Sequence, residues 1–263
     1  MRVEMTEGYK QGFDIKKFGE EFKNTIDWML RNKYAENITK HLQDFKTDKN
    51  SLEINPESTD ALYEIIELIA TKGYRLKRNN EFKKRLSNFI GSYGANFRSE
   101  DARKKMIELV GEKATKNVNI LLEYKTIKEF TESLYNSAKK GETFVLGEKG
   151  RDEYLRDFGY WDRIPIDRHE MRFIIRSGIY HACSFKDKSD HLEINHLHDV
   201  LTQFCTQYLK GYVAEDIELG EAPGIADIFI WSFCAEYNIC GSTPKCNECN
   251  LNGACLYALT NSP

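Results

Sequence analysis

Four cysteines near one end of the chain, Cys240, Cys246, Cys249 and Cys255, have the type and spacing of a metal- or cluster-binding loop. Over residues 240–255 they follow Cys-x5-Cys-x2-Cys-x5-Cys. Thiolates are soft donors, and four converging on one centre suit either a structural zinc ion or an iron–sulfur cluster. The intervening segments GSTPK, NE and NLNGA are short, polar and bend-prone, so the chain can wrap closely around such a centre. Zinc ribbons usually pair two Cys-x2-Cys knuckles, whereas this loop has one knuckle between two longer arms. The spacing therefore favours a [4Fe–4S] cluster, with structural zinc as the alternative. Two disulfides would also use four cysteines, but nothing else in the sequence points to an oxidising compartment. Cys183, Cys205 and Cys234 lie outside the loop and read as buried or free thiols.

A second stretch, residues 143–172, reads TFVLGEKGRDEYLRDFGYWDRIPIDRHEMR. Gly147 and Gly150 sit in a short connection after an expected helix over 126–139. RDEYLRDFG then gives a helix that ends near Gly159. Pro165 forces an extended approach to Asp167, and Asp167 is suited to cap the following helix, HEMRFIIRSG. A helix, a glycine-containing hairpin and a second helix can offer backbone N–H groups to a phosphate, aided by the helix dipole. Taken alone, the stretch is equally well described as a turn between two helices.

The elements that must carry these residues read as helices. Apolar residues recur at helical spacing over 15–30 (Phe18, Phe22, Ile26, Met29) and 58–73 (Leu62, Ile65, Ile66, Ile69). The same spacing runs over 100–123 (Met106, Leu109, Leu121, Leu122) and 126–139 (Ile127, Phe130, Leu134). Ser58 and Thr59 ahead of Asp60, and Ser99 ahead of Glu100 and Asp101, mark helix starts. Two further helices fit 193–210 and 222–237. No strand alternation is sustained, and Phe144-Val145-Leu146 is only a short apolar run. The expected fold class is all-α, and the loop-like segment 46–57 is a candidate boundary.

With 263 residues, 41% of them apolar, the chain can build one large domain or two modest ones. Its formal net charge of -3 leaves no global basic field to announce nucleic acid. Charge is uneven, however. Lys77, Arg78, Lys83, Lys84, Arg85, Arg103, Lys104 and Lys105 crowd residues 72–128. Asp187, Asp190, Glu193, Asp199, Glu215, Asp216, Glu218 and Glu221 crowd 186–222. Each run by itself reads as a solvated helix face. His196 and His198, in the run INHLH, read as a solvated helix end rather than a metal site. No apolar run approaches the ~20 residues of a membrane helix. The segment MRVEMTEGYKQGF lacks the layout of a secretory signal, so a cytoplasmic protein without a membrane partner is expected.

The two motifs together, in this order, resemble the helix-hairpin-helix DNA glycosylase superfamily. The resemblance is carried by KGRDEYLRDFGYWDRIPIDRH (149–169) and IADIFIWSFCAEYNICGSTPKCNECNLNGAC (225–255). LRDFGY followed by IDRH is most similar to archaeal-type 8-oxoguanine glycosylases. The cysteine loop is most similar to the endonuclease III branch, which carries a C-terminal [4Fe–4S] loop. The resemblance implies a two-lobed, all-α fold with the active site in the cleft between the lobes. One lobe would be a helical barrel over 55–166, with the helix-hairpin-helix at about 126–158. The other would combine 1–54 with 167–263 and hold the cluster.

The resemblance also implies roles. Bifunctional members use a Lys in the second helix of the motif, followed about 18 residues later by an Asp. Asp167 matches that Asp in its IPIDRH context, and 167 − 149 = 18 makes Lys149 the nucleophile. This register sets Gly147 on the second hairpin glycine and Val145 where the family has the first. Val145, Leu146, Gly147, Gly150, Arg168 and His169 would then face DNA. Sliding the hairpin to use Gly150 would instead put Asp152 in the Lys position and imply a monofunctional enzyme. The implied activity is removal of a damaged or mispaired base from double-stranded DNA by a monomer, with β-elimination through a Lys149 Schiff base. The alternative is water activated by Asp167, and the alternative of another class is a non-catalytic iron–sulfur DNA-binding or redox-sensing protein. The two halves of the resemblance differ on the base, one pointing to 8-oxoguanine and the other to oxidised pyrimidines or uracil and thymine mismatches.

Overall fold

Apolar residues at helical spacing decide most of the architecture. The computed structural model describes residues 3–5, 12–32, 36, 38–40, 42–43, 59–71, 80–110, 112–142, 145–185 and 194–261. Expectations for segment 46–57, Ser58, Lys77, Arg78, Phe144, Asp187, Asp190 and Glu193 lie outside the described residues. The chain divides into two compact units, residues 1–43 with 161–263, and residues 44–160.

The unit formed by 44–160 is helical among its described residues. It contains α2 (Thr59–Thr71), α3 (Asn80–Tyr93), α4 (Glu100–Val110), α5 (Glu112–Glu123), α6 (Ile127–Lys139) and α7 (Glu148–Asp157), α1 belonging to the other unit. Two differences from the sequence reading stand out. The single helix expected over 100–123 is two helices packed on each other, with Gly111 between them in the chain. Helix α3 has no counterpart in the sequence reading, although Phe82, Leu86, Phe89 and Ile90 bury one face at i, i+4, i+7 and i+8 spacing. Their core partners include Leu62, Ile65, Ile66, Phe130, Leu134, Tyr154 and Leu155. The Tyr154 hydroxyl, buried in this core, shares a 2.8 Å hydrogen bond with Thr131 of α6, so a polar tip is satisfied where α6 and α7 pack.

The unit of 1–43 and 161–263 contains α1 (Ile15–Arg31), α8 (Arg168–Ser177), α9 (Ile194–Tyr208), α10 (Pro223–Trp231) and α11 (Leu256–Asn261). Its centre is aromatic. Phe18 and Phe22 of α1 meet Phe173 of α8 at 6.1 and 5.4 Å and Phe204 of α9 at 5.8 and 6.1 Å between ring centroids. Helix α8 ends at Gly178, whose φ of 102° is the left-handed conformation of a C-terminal cap. A Cβ there would also lie 2.7 Å from the Phe13 ring, so glycine is required twice over.

Two small antiparallel pairs interrupt the all-helical expectation: β1 (Val3–Met5) with β2 (Cys183–Phe185), and β3 (Val213–Ala214) with β4 (Ile217–Glu218). Strands of two or three residues are too short to show a period-2 pattern. The reading over 222–237 is also refined. After α10 the chain makes a turn of π-helix at Ser232–Glu236, which buries Ser232, Phe233 and Cys234. Among the described residues no helix is long and apolar enough to cross a membrane.

Candidate functional site

The connection between α6 and α7 is a hairpin held from within. Thr126 caps α6, its hydroxyl accepting from the Glu129 N–H at 3.1 Å. Past the end of α6, the Glu142 carbonyl accepts from Ser137 Oγ at 3.1 Å and from Arg151 Nη1 at 2.7 Å. Arg151 is 1% exposed, and its guanidinium also grips the Asp152 carboxylate in a two-pronged pair at 3.0 and 3.2 Å. A buried charge without a partner would be very unfavourable, so Arg151 and Asp152 are committed to each other.

Val145, at the place where the resembled motif has its first glycine, has a φ of 57°. That is the left-handed region, which disfavours a β-branched side chain by roughly 1–2 kcal/mol. The hairpin thus has the backbone of a glycine turn without the glycine. Asn117 Nδ2 donates to the Val145 carbonyl at 3.0 Å, and Leu146 is buried against the core. Gly147 caps α7 with extended backbone, and a Cβ placed on Gly147 or Gly150 would meet no atom within 4 Å, so there is open space beside both. Gly150, expected in the connection, lies inside the first turn of α7. Lys149 lies in the same turn, 48% exposed, with Nζ 3.4 Å from Glu153. Asp152 of the alternative register is buried on Arg151. The register that presents a side chain to solvent is therefore the one with Lys149.

Asp167 is held from both sides of its peptide. Ile164 and Ile166 are buried, and the carbonyl of Trp161 accepts from the Gly224 N–H at 2.8 Å, tying the approach to the start of α10. Asp167 Oδ1 accepts from the His169 N–H at 2.6 Å, while the Asp167 N–H donates to Glu170 Oε2 at 2.8 Å. Together with the bond from the N3 backbone, this is a reciprocal capping box on α8. Asp167 and His169 remain half-buried and Arg168 is exposed. Glu170 is buried, and burial, the neighbouring Asp227 and its contact with Asp167 push its carboxyl well above the usual range. Sequence reasoning missed Glu170 and Asp227. Both had signals: the D-x-x-E spacing of a capping box, and a lone acid in the apolar run PGIADIFIW.

The cysteine loop is fastened to the other end of α8. Cys255 Sγ donates to the Arg176 carbonyl at 3.3 Å, and Arg176 Nη1 lies 4.0 Å from Cys240 Sγ. The same guanidinium donates to the carbonyls of Gly241 at 2.6 Å and Ser242 at 3.1 Å. Cys234, from the π-turn, hydrogen-bonds Cys240 and, with Arg176 and Arg172, lowers the Cys240 thiol below its ordinary range. Cys249 is pushed up to about 12 by burial first, with Cys255, Cys240 and Cys246 adding to the rise. Burial likewise raises Cys255, again with Cys240 and Cys246 contributing. Among the described residues no group of three or more His, Cys, Asp or Glu side chains is gathered tightly enough to hold a metal ion. The donor chemistry nonetheless fits: the four thiols are half-buried, none is in a disulfide, and each of these rises is one that a cation would reverse.

Other expectations resolve simply. His196 is 5% exposed, so its side chain is buried and not at a solvated helix end, and His198 lies 3.9 Å from Asp199. In the basic run, Lys104 pairs with Glu100 at 3.0 Å and Lys105 with Glu108 at 2.9 Å along α4, as on a solvated helix face.

No family model and no curated protein matches the chain. Among solved structures, it is similar to an 8-oxoguanine glycosylase/lyase of Methanocaldococcus jannaschii in complex with a 15mer DNA containing 8-oxoguanine. The two are 19% identical with a TM-score of 0.47, over 80% of this chain and 95% of that one. A likeness this weak decides neither reaction nor site.

Two measurements probe this geometry. Replacing Val145 with Gly removes the left-handed penalty while losing a half-buried side chain. Its net effect on denaturant-induced unfolding should stay within ~1 kcal/mol, against ~2–5 kcal/mol lost on Leu146→Ala. Comparable losses at the two positions would contradict the strained-hairpin account. Glu170 gives a pH test. Its folded value is raised above the ordinary 4.5, so between the two the folded chain keeps a proton that the unfolded chain has lost. Its stabilising contribution is complete below about 4.5 and declines as pH rises toward the folded value. Glu170→Gln cannot ionise, so wild type should lose stability relative to it as pH rises from about 4.5 toward 7. Parallel stability curves would show that Glu170 titrates alike in the folded and unfolded chains.

Proposed function

We propose that this protein removes a damaged or mispaired base from double-stranded DNA by cleaving the N-glycosidic bond, acting as a monomer. One observation carries the reading. Along the chain come a helix, a hairpin with a left-handed residue at its first turn position, a helix, and then a half-buried aspartate fixed in a capping box.

The target nucleotide leaves the stack first, at a cost of a few kcal/mol that is smallest for a damaged or mismatched base. The hairpin 145–150 and the start of α7 offer backbone N–H groups to a phosphate and position the strand without reading its sequence. As the glycosidic bond breaks, positive charge develops on the sugar. Asp167 supplies the carboxylate that stabilises it, and its rigid cap keeps one oxygen committed to His169 while the side chain stays half-buried. In the bifunctional reading, the Lys149 amine attacks C1′ and the base departs with the bonding pair. Loss of a proton from nitrogen and ring opening give a Schiff base. That imine acidifies the C2′ hydrogen, and β-elimination expels the 3′ phosphate.

A second reading has an observation in its favour. Lys149 is 48% exposed beside Glu153, without the desolvation that activates a nucleophilic lysine. On that reading Asp167 activates water and leaves an intact abasic site. We further propose that Cys240, Cys246, Cys249 and Cys255 hold a [4Fe–4S] cluster, structural zinc being the alternative. When bound, the group cross-links a loop that contains little regular structure.

Borohydride trapping on duplexes carrying 8-oxoguanine, thymine glycol, uracil, hypoxanthine, an alkylated purine or an abasic site tests the activity. Wild type should release a base from at least one duplex, and Asp167→Asn should lose at least about 10³-fold of that rate while still binding DNA. A covalent adduct that disappears in Lys149→Gln establishes the lyase. Base release without an adduct supports the water route, and release unaffected by Asp167→Asn removes Asp167 from the chemistry. For the cluster, purified protein should be brown with broad absorbance near ~400 nm that is lost in Cys249→Ser, whereas a colourless, zinc-containing protein would replace iron–sulfur with zinc.

A further inference from the structure

We infer that the buried carboxyl of Glu170 is there to position Asp167. Glu170 fixes the aspartate's backbone through the Asp167 N–H. The inference rests on the reading of Asp167 as the carboxylate that serves the sugar, and deepens it by naming a positioning residue.

Glu170 and Asp227 are both 1% exposed, and they come from helices that pack on each other, α8 and α10. Asp227 stands alone as an ionisable residue in PGIADIFIW, where Pro223, Ile225, Ala226, Ile228, Phe229 and Ile230 are also buried. An apolar residue there would avoid the desolvation cost of a carboxyl, so packing alone does not account for an acid. Glu170 is at the third position of α8, with one carboxylate oxygen on the Asp167 N–H at 2.8 Å. Its other oxygen is buried without a hydrogen-bond partner among the described residues. A cap alone needs one acceptor and no second acid.

Burial comes first and Asp227 second among the causes that raise the Glu170 carboxyl above the usual range. A neutral Glu170 still accepts from the Asp167 N–H. It does not add a second negative charge within one helical turn of Asp167. The favourable field of the α8 N-terminus then acts on Asp167 as the single anion there. Glu170 thus holds the aspartate in place, and in its neutral form it leaves the charge on Asp167 undiluted.

The test compares Glu170→Met with Glu170→Gln, using turnover kinetics and duplex affinity on a lesion that wild type processes. Glutamine is neutral, keeps the acceptor on the Asp167 N–H and keeps the shape. It should retain kcat within about 3-fold. Methionine removes the acceptor, and kcat should fall on the order of 10²-fold while duplex Kd stays unchanged, as expected for a misplaced reacting group. Circular dichroism checks that each variant is folded. Should the methionine variant not fold, Glu170→Ser, which leaves room for water beside Asp227, takes its place with the same expected loss. Wild-type kcat in the folded methionine or serine variant overturns the proposal. So does a loss in Glu170→Gln as large as in the other variant, or a rate loss matched by lost DNA affinity. Wild type that releases no base from any duplex removes the reading of Asp167, and this inference with it.

Discussion

The short helix Arg168–Ser177 is the constraint on which the chemistry of its unit depends. Its N-terminal orphan N–H groups need an acceptor, and Asp167 supplies one. Its C-terminal end needs partners too. There, Arg176 and Cys255 tie the last turn to the cysteine loop, and Gly178 turns the chain away. In between, Phe173 locks the helix among Phe18, Phe22 and Phe233. A displacement of this helix would therefore be felt at the aspartate and at the thiols together, because close-packed interiors transmit shifts rather than absorb them.

The other unit solves a similar problem with different chemistry. A hairpin between two helices leaves carbonyls without partners. Arg151 reaches back from α7 to one of them while paired with Asp152. The buried ion pair contributes little net stability by itself, since desolvation offsets most of its attraction. Its value lies in specifying one geometry for the turn. That geometry includes the unfavourable left-handed Val145, which persists because Asn117, Arg151 and the buried Leu146 surround the hairpin with fixed contacts.

Much of the fold was legible before any coordinate. Helices α1, α2, α6, α9 and α10 and the cap at Asp167 follow from apolar spacing and from side chains that bond locally. The departures share a cause. The division of 100–123, the π-turn at Ser232–Glu236 and the tiny strands depend on contacts between distant segments that no local window contains. His196 shows the limit plainly: a polar side chain at a helix start reads as solvated until a core forms over it.

The sequence by itself determined which groups are available: four thiols at loop spacing, a lysine after a hairpin, an aspartate before a helix. Side-chain chemistry and near-neighbour spacing are local properties, so they survive in one dimension. Only the tertiary structure decided which of those groups is buried, paired or presented. It buried Asp152 on Arg151 and left Lys149 in solvent contact. It also packed α10, which carries Asp227, against α8, which carries Glu170, 57 positions away in the chain (227 − 170). Burial and proton affinity are set by whatever the whole chain packs around a group, and packing is long-range.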